Sequence, residues 1–355
     1  MRGLVLAGPE TIEYRPDLPD PEVETPADAL VSVRLAGVCG SDLHPYHGRE
    51  PVAWGIVPGH EAAGEVVEVG VDVGRFSPGD RVFLPFTTSC DVCPPCRAGL
   101  SSRCDRGRLF GWGPPGAGAG EGLGGTQAEL VRVPLADTTL LLLPEDLGFE
   151  DGVLLGDNFA TGYFCAARGG EFEGRLVAIV GCGAVGLSAL VAARYFGAGR
   201  IVCVDPVPAR REAASRLGAD IVVAPEAAPA AIAALPRPDD RGAFAVLEAV
   251  GSQPARRLAL VLAAPGATIS SVGVATDDFG FSPADLYDRN LTFRSGRCPV
   301  RSLMPGIFEA LACGDLRIPT SELVSAAPVS LENGPGVYRS FAARSGPGLK
   351  PLLAP

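Results

Sequence analysis

Four cysteines, Cys90, Cys93, Cys96 and Cys104, fall within 15 residues in "CDVCPPCRAGLSSRC", with gaps of two, two and seven. Four thiolates this close can surround one zinc ion tetrahedrally, in a closed site with no position left for substrate. An iron–sulfur cluster would use the same ligands, and redox disulfides are a third option. Tight spacing and a reducing compartment favour zinc, in a lobe that clamps a loop lacking an apolar core of its own. A second set of chemically capable residues is spread out. "GVCGSDLHPYHG" carries Cys39, Ser41, Asp42, His44 and His47, and "PGHEAAGE" carries His60 and Glu61. All three histidines of the chain fall within these 17 residues. A lone histidine is usually a satisfied polar residue, and His47 reads as structural or solvent-facing. His60 in a turn beside Glu61, and Cys39 at the end of an alternating strand, suit convergence on a metal. Neither pair establishes a site without the fold.

One further carboxylate, Asp157, stands at the edge of the apolar run "VLLGDNFATGYF". An ionised carboxylate left dry and unpaired is costly, so it needs a partner. Asp157 or Asn158 could cap a helix through "FATGYFCAAR", or Asp157 could be an exposed loop residue. Downstream, "VGCGAVG" sets Gly181, Gly183 and Gly186 in G-x-G-x-x-G spacing after a strand and at the start of a helix, with Asp205 closing the next strand. That is the context a dinucleotide fingerprint requires: a tight turn, close approach to the pyrophosphate, and close helix–strand packing. The helix N-terminus would meet the phosphate charge with free N–H groups. Asp205 favours NAD over NADP, because a carboxylate bonds the ribose hydroxyls and repels a 2′-phosphate. Arg210 and Arg211 nearby leave NADP open.

These residues need elements to position them. At 355 residues, a prior of about 150 residues per domain suggests two. The first third is β-rich, with "ALVSVRLAGVC", "AAGEVVEVGVDV" and "DRVFLPF" broken by turns, and "AELVRVPLADTTLLLLP" adds more strand. Between them lies a Gly/Pro-rich loop, 111–125. From about 175 strands alternate with helices, the pattern of a parallel sheet covered on both faces. A helix through "SLMPGIFEALACGDL" and a short tail follow, and the tail is expected to pack back on the first domain.

Composition narrows the function. A net charge of −11 argues against phosphate-backbone binding, which needs clustered cations. Lys350 is the only lysine beside 29 arginines, which reads as genomic base composition. The apolar core of "MRGLVLAGPETIEY" is too short for a signal peptide, so no export signal is expected. The uncharged stretch 176–193 is divided by spaced glycines and reads as strand and helix rather than a membrane span, so a cytoplasmic protein is expected. Ten cysteines there are not a disulfide scaffold.

Taken in order, "GVCGSDLH", "PGHEAAGEVVEVG", "GDRV", the four-cysteine lobe, "VGCGAVG" and "GLKPLL" resemble the zinc-dependent medium-chain alcohol dehydrogenases along essentially the whole chain. The resemblance implies an α/β protein. A GroES-like β-barrel catalytic domain would span 1–155 and 293–355, and a Rossmann domain with a doubly wound parallel sheet would span 156–292. It implies two zinc ions per chain and NAD. The catalytic zinc would be held by Cys39, His60 and a third ligand just before "TGY", where this sequence has Asp157. A formaldehyde-dehydrogenase-like branch uses aspartate there, and "GGTQAELVRVPLAD" and "SGRCPV" also resemble that branch. Ser41 would bond the substrate oxygen, His44 would pass its proton to solvent, and Asp42 would orient His60. Glu61 would either visit the zinc or form a buried ion pair. Cofactor contacts would come from Gly181, Gly183, Val185, Gly186, Asp205, Arg210, Val250 and Val274, and apolar pocket walls from Trp54, Phe86 and Trp112. The substrate would be a small alcohol or aldehyde, and the assembly a homodimer or homotetramer. Rival readings are aldehyde oxidation or dismutation, a zinc-free reductase of the same fold, and a non-catalytic zinc- and nucleotide-binding protein. Ser41 and His44 argue against the last, because structure alone does not require them.

Overall fold

The computed structural model describes residues 1–112, 123–235, 242–324, 326–344 and 349–355. Most of the Gly/Pro-rich loop expected at 111–125 lies outside the described residues. The chain divides into two compact units. One comprises Met1–Asp157, Pro299–Met304 and Val324–Pro355; the other comprises Asn158–Cys298 and Pro305–Leu323.

The first unit opens with the antiparallel pair β1 (Gly3–Gly8) and β2 (Thr11–Arg15). Its main sheet is built on β3 (Ala29–Gly37), β4 (Ala62–Val69), β5 (Arg81–Leu84), β6 (Leu130–Val133) and β7 (Leu141–Leu142). Neighbouring strands here run antiparallel, and β3 carries β4 on one edge and β6 on the other. Val31, Val33, Val66, Val82 and Leu84 meet Phe76 and Phe110 in one buried cluster. Each such side chain contributes roughly 1.5–3 kcal/mol on burial. The run "AELVRVPLADTTLLLLP" is less continuous than its composition suggests. Leu135 adopts a left-handed backbone (φ 54°), and a helical turn at Ala136–Thr139 separates β6 from β7.

A helix at Phe149–Gly156 starts where the Asp151 carboxylate accepts the Gly148 N–H at 2.8 Å. It stops at Asp157, whose φ of −147° and ψ of −78° leave the helical range. A second helix, Asn158–Ala167, begins at once and belongs to the second unit.

That unit holds six parallel strands: β8 (Leu176–Val180), β9 (Arg200–Val204), β10 (Ile221–Val223), β11 (Ala243–Glu248), β12 (Ala263–Ser271) and β13 (Thr292–Ser295). Their order, β10-β9-β8-β11-β12-β13, reverses direction between β8 and β11, the switch point where such sheets bind ligands. All five residues of β8 are buried, as expected of a strand covered on both faces. The stretch 176–193, weighed above as a span, is β8, a turn, and most of the helix Ala184–Tyr195. Among the described residues no helix is long and apolar enough to cross a membrane.

The chain returns to the first unit through β14 (Val329–Ser330) and β15 (Leu352–Ala354). β15 pairs antiparallel with the end of β3, beside Ala36 and Gly37. This registration carries the C-terminus to the base of Cys39. The helix Val300–Ala312 starts in the first unit and finishes in the second, so the units group Pro305–Leu323 apart from the rest of the C-terminal segment.

Candidate active site

Cys39 follows the end of β3, His60 and Glu61 immediately precede β4, and Asp157 occupies the break between two helices. The pairing of β3 with β4 sets Ala36 opposite Ala62 and so brings the first three together. One ligand atom from each of Cys39, His60, Glu61 and Asp157 lies within 4.8 Å of the others. Cys39 Sγ is 3.5 Å from Asp157 Oδ2, and His60 Nε2 is 3.4 Å from the same oxygen. Zinc bonds of ~2.3 Å to sulfur and ~2.0–2.1 Å to nitrogen or oxygen give tetrahedral edges of about 3.5 and 3.4 Å. The donor spacing therefore fits a tetrahedral cation, and the exposed-loop reading of Asp157 fails because the residue is buried.

The surroundings orient these donors. His60 Nδ1 lies 3.0 Å from Asp42 Oδ1, so with the proton on Nδ1 the free Nε2 faces the cluster. The other Asp42 oxygen accepts the Cys39 backbone N–H at 2.8 Å. Ser41 Oγ is 3.3 Å from His60 Nε2. Burial would lower the His60 pKa, but Asp42, Asp157 and Cys39 hold it well above the ordinary imidazole value. Burial, with the nearby Glu61 and Asp157 charges, raises the Cys39 thiol. Asp157 titrates below the ordinary carboxylate range: burial pushes it up, but His60 pulls it further down. Burial pushes Glu61 up to about 7, against the pull of Lys350 and with that of Asp157 behind it. A dry pocket this rich in acidic groups attracts a cation.

Lys350 is the residue sequence reasoning missed. Its ammonium is buried against the Glu61 carboxylate and donates to the Val38 carbonyl at 3.3 Å. The available signal was its being the only lysine in the chain. Glu61 thus forms a buried ion pair, one of the two expectations for it, while its carboxylate stays within the cluster. His47 pairs with Glu10 at 2.9 Å, away from the cluster. Burial lowers the His44 pKa, and its Nδ1 has no partner among the described residues.

Of the three expected pocket walls, two reach the cluster. Trp112 stands edge-on to His60 with ring centroids 5.2 Å apart, and Phe86 does so at 6.5 Å. Trp54 is 49% exposed in its loop, and among the described residues no ring contact joins it to His60.

The four-cysteine lobe is tied by short helical turns at Pro94–Arg97 and Ser101–Arg103. The sulfurs of Cys90, Cys93, Cys96 and Cys104 lie within 4.8 Å of one another, with Cys93 and Cys104 3.9 Å apart. That is far beyond a disulfide bond and close to the ~3.8 Å edge of a tetrahedral zinc–thiolate site. Backbone N–H groups of Asp105 and Arg106 point at Cys93 Sγ and Cys104 Sγ. Burial would raise the Cys90 thiol, but backbone N–H groups of Val92 and Cys93 bring it down to about 6. Burial takes Cys104 up to about 12.

In the second unit, Gly181 turns the chain with φ +94°, and a Cβ on Gly186 would fall 1.7 Å from the Gly181 carbonyl oxygen. Gly183 caps the helix Ala184–Tyr195, whose first N–H groups make an anion site. Val185 is partly exposed in its first turn. Asp205 is buried after β9 and accepts the backbone N–H of Cys182 and of Val207, each at 2.8 Å. It therefore also fastens the glycine loop, a role its sequence position did not announce. Arg210 lies 3.8 Å from the same carboxylate, and Arg211 donates to the carbonyls of Asp205 and Pro206. Val250 and Val274 are 45% and 44% exposed just beyond β11 and β12.

Residues 25–145 match the alcohol dehydrogenase GroES-like domain, and residues 184–311 match the zinc-binding dehydrogenase family. The chain is 40% identical to a zinc-type alcohol dehydrogenase B of Aspergillus flavus, over 88% of this chain and 72% of that protein. It is 36% identical to a zinc-binding alcohol dehydrogenase of Mycobacterium tuberculosis, over 100% of this chain and 89% of that one. Among solved structures, the alcohol dehydrogenase TADH of Thermus sp. ATN1 superposes with a TM-score of 0.89 at 37% identity, covering 100% of this chain and 99% of that chain.

Proposed function

The chain belongs to the zinc-binding alcohol dehydrogenases with a GroES-like domain, and on that footing we propose that it moves hydride between a small alcohol or aldehyde and NAD at a zinc held by Cys39, His60 and Asp157. One observation carries the ligand assignment: a thiol, an imidazole and a carboxylate, far apart in sequence, meet with the edge lengths of a tetrahedral zinc site. The chemistry such groups supply when bound is Lewis acidity toward an alcohol or carbonyl oxygen and acceptance or donation of hydride.

The chain's own residues have separable tasks. Asp42 keeps His60 in the tautomer that leaves Nε2 free. Ser41 Oγ, beside His60 Nε2, is placed to hydrogen-bond a substrate hydroxyl. His44 takes the proton onward, and its lowered pKa keeps the ring neutral and able to accept near pH 7. Phe86 and Trp112 screen His60 from water. Lys350 neutralises Glu61, which would otherwise be a second buried anion beside Asp157. The glycine loop and Asp205 receive the dinucleotide, with Asp205 favouring NAD. A second zinc in the four-cysteine lobe is structural.

Asp157→Asn tests the ligand assignment. A neutral amide binds zinc poorly, so the metal count should fall from two per chain to one and turnover should vanish. Asp157→Cys should keep both. Full zinc and activity in Asp157→Asn would return the residue to a helix terminus. A screen of alcohols and aldehydes with NAD and NADP, read at the nicotinamide absorbance, tests the reaction itself.

The carboxylate in the cluster also supports the formaldehyde-dehydrogenase-like branch, with aldehyde oxidation or dismutation. NAD retained through purification would favour that reading. Cys90, Cys93, Cys96 and Cys104, gathered at metal-ligand spacing, support a reducing, cytoplasmic location. The open edge of the parallel sheet at β13 supports a homodimer or homotetramer, which sedimentation would test.

A further inference from the structure

The C-terminal edge of the parallel sheet carries a buried carboxylate that the reading above does not use. Glu248 closes β11 with 0% exposure. Among the described residues its side-chain hydrogen-bond partners are three neutral donors. The backbone N–H groups of Val250 and Gly251 each lie 2.7 Å from Oε1, and the Ser271 hydroxyl lies 2.6 Å from Oε2. A buried charge is costly unless strongly hydrogen-bonded, and three short charge-assisted bonds meet that requirement. They also tie together the loops that follow β11 and β12.

Those loops touch. A Cβ on Gly251 would lie 2.3 Å from the Val274 carbonyl oxygen, and one on Gly273 would lie 2.0 Å from the Gly251 nitrogen. Arg256 braces the pair from beneath. It is 2% exposed, donates to the Gly251 carbonyl, and reaches the Phe279 carbonyl at 2.9 Å and the Asp277 carboxylate at 2.5 Å. On the exposed side, Val250 lies against the first glycine of the fingerprint: a Cβ on Gly181 would meet its Cγ2 at 2.4 Å. Val250 and Val274 thus form an apolar ledge, half exposed, beside the turn assigned to the pyrophosphate.

We propose that Glu248 is a positioning residue, with Ser271 and Arg256 as its supports, that holds Val250 and Val274 as a rigid ledge of the dinucleotide site beside the pyrophosphate turn. This rests on reading the glycine loop as a dinucleotide site. Glu248 touches neither cofactor nor substrate. It acts by removing the freedom of two loops that would otherwise have to be ordered on binding, a cost that appears as lost affinity.

NADH and ADP-ribose, which lacks the nicotinamide, are titrated calorimetrically into the zinc-loaded protein. In Glu248→Ala, affinity for NADH and for ADP-ribose, which share the pyrophosphate, should each fall about tenfold, as loss of one buried hydrogen-bond acceptor predicts. Glu248→Gln should bind NADH as the parent does. Its amide oxygen can accept both N–H groups and its NH2 can donate to the Ser271 oxygen, whose hydroxyl is free to turn. Should Glu248→Ala fail to fold, Ser271→Ala carries the test, with both ligands weakened about threefold. An unchanged NADH affinity in the alanine variants, or a Gln variant as weak as Ala, would overturn the positioning role. A parent protein that binds neither ligand would instead overturn the dinucleotide reading.

Discussion

Lys350 and Glu61 show how much one buried pair constrains the residues around it. Both side chains are fully enclosed. Removing the cation alone strands a carboxylate beside Asp157, and breaking such a pair costs about 3–5 kcal/mol. Lys350→Met should therefore lower the urea midpoint sharply, while the double change Lys350→Met, Glu61→Gln should recover most of the loss. A single variant as stable as the parent would show that the pair is not the constraint it looks like. His44 offers a pH-dependent counterpart. Burial lowers its folded pKa below the ordinary imidazole value of 6.5, so between those two values the unfolded chain binds the extra proton. Stability from this group is present above about pH 6.5 and is lost as pH falls through the folded pKa. His44→Gln should remove that part of the acid slope in thermal melts, without changing zinc content. A variant that loses zinc would make His44 a ligand.

The β8–β9 end of the parallel sheet couples cofactor choice to loop geometry. Asp205 closes β9 and at the same time holds the Cys182 N–H of the glycine loop. Asp205→Ser removes a charge that opposes a 2′-phosphate and leaves Arg210 and Arg211 beside it. Like-charge juxtaposition costs several kcal/mol, so preference for NAD over NADP should shift toward NADP by at least about tenfold in kcat/KM. The loop loses an anchor in the same step, and absolute affinity for NAD should fall as well. Equal use of both cofactors by the parent would refute the role given to Asp205. The break between the helices Phe149–Gly156 and Asn158–Ala167 is a second element-level device, since it is what leaves Asp157 free to face Cys39 and His60.

At the scale of the molecule, two metal sites of different closure predict two phases of metal loss. Chelation should first strip the Cys39–His60–Asp157 site, abolishing turnover while circular dichroism stays unchanged. The Cys90–Cys93–Cys96–Cys104 site, closed by four thiolates, should follow slowly and take folded structure with it. A single phase, or iron in the lobe, would refute the assignment. What the sequence determined by itself is what short range encodes. Contiguous cysteine spacing, the glycine fingerprint after a strand, and the alternation of apolar strands with helices all act within 30 residues or so, where periodicity alone decides which face is buried. The tertiary structure decided the rest. Asp157 lies 118 residues from Cys39 and Lys350 lies 312 from Val38, and no local pattern specifies that they meet. Their meeting depends on β15 pairing with the end of β3, on β3 registering against β4, and on a helix ending at one particular residue. The same reason hid Lys350: residue type states what a side chain can do, and only long-range packing states what it faces.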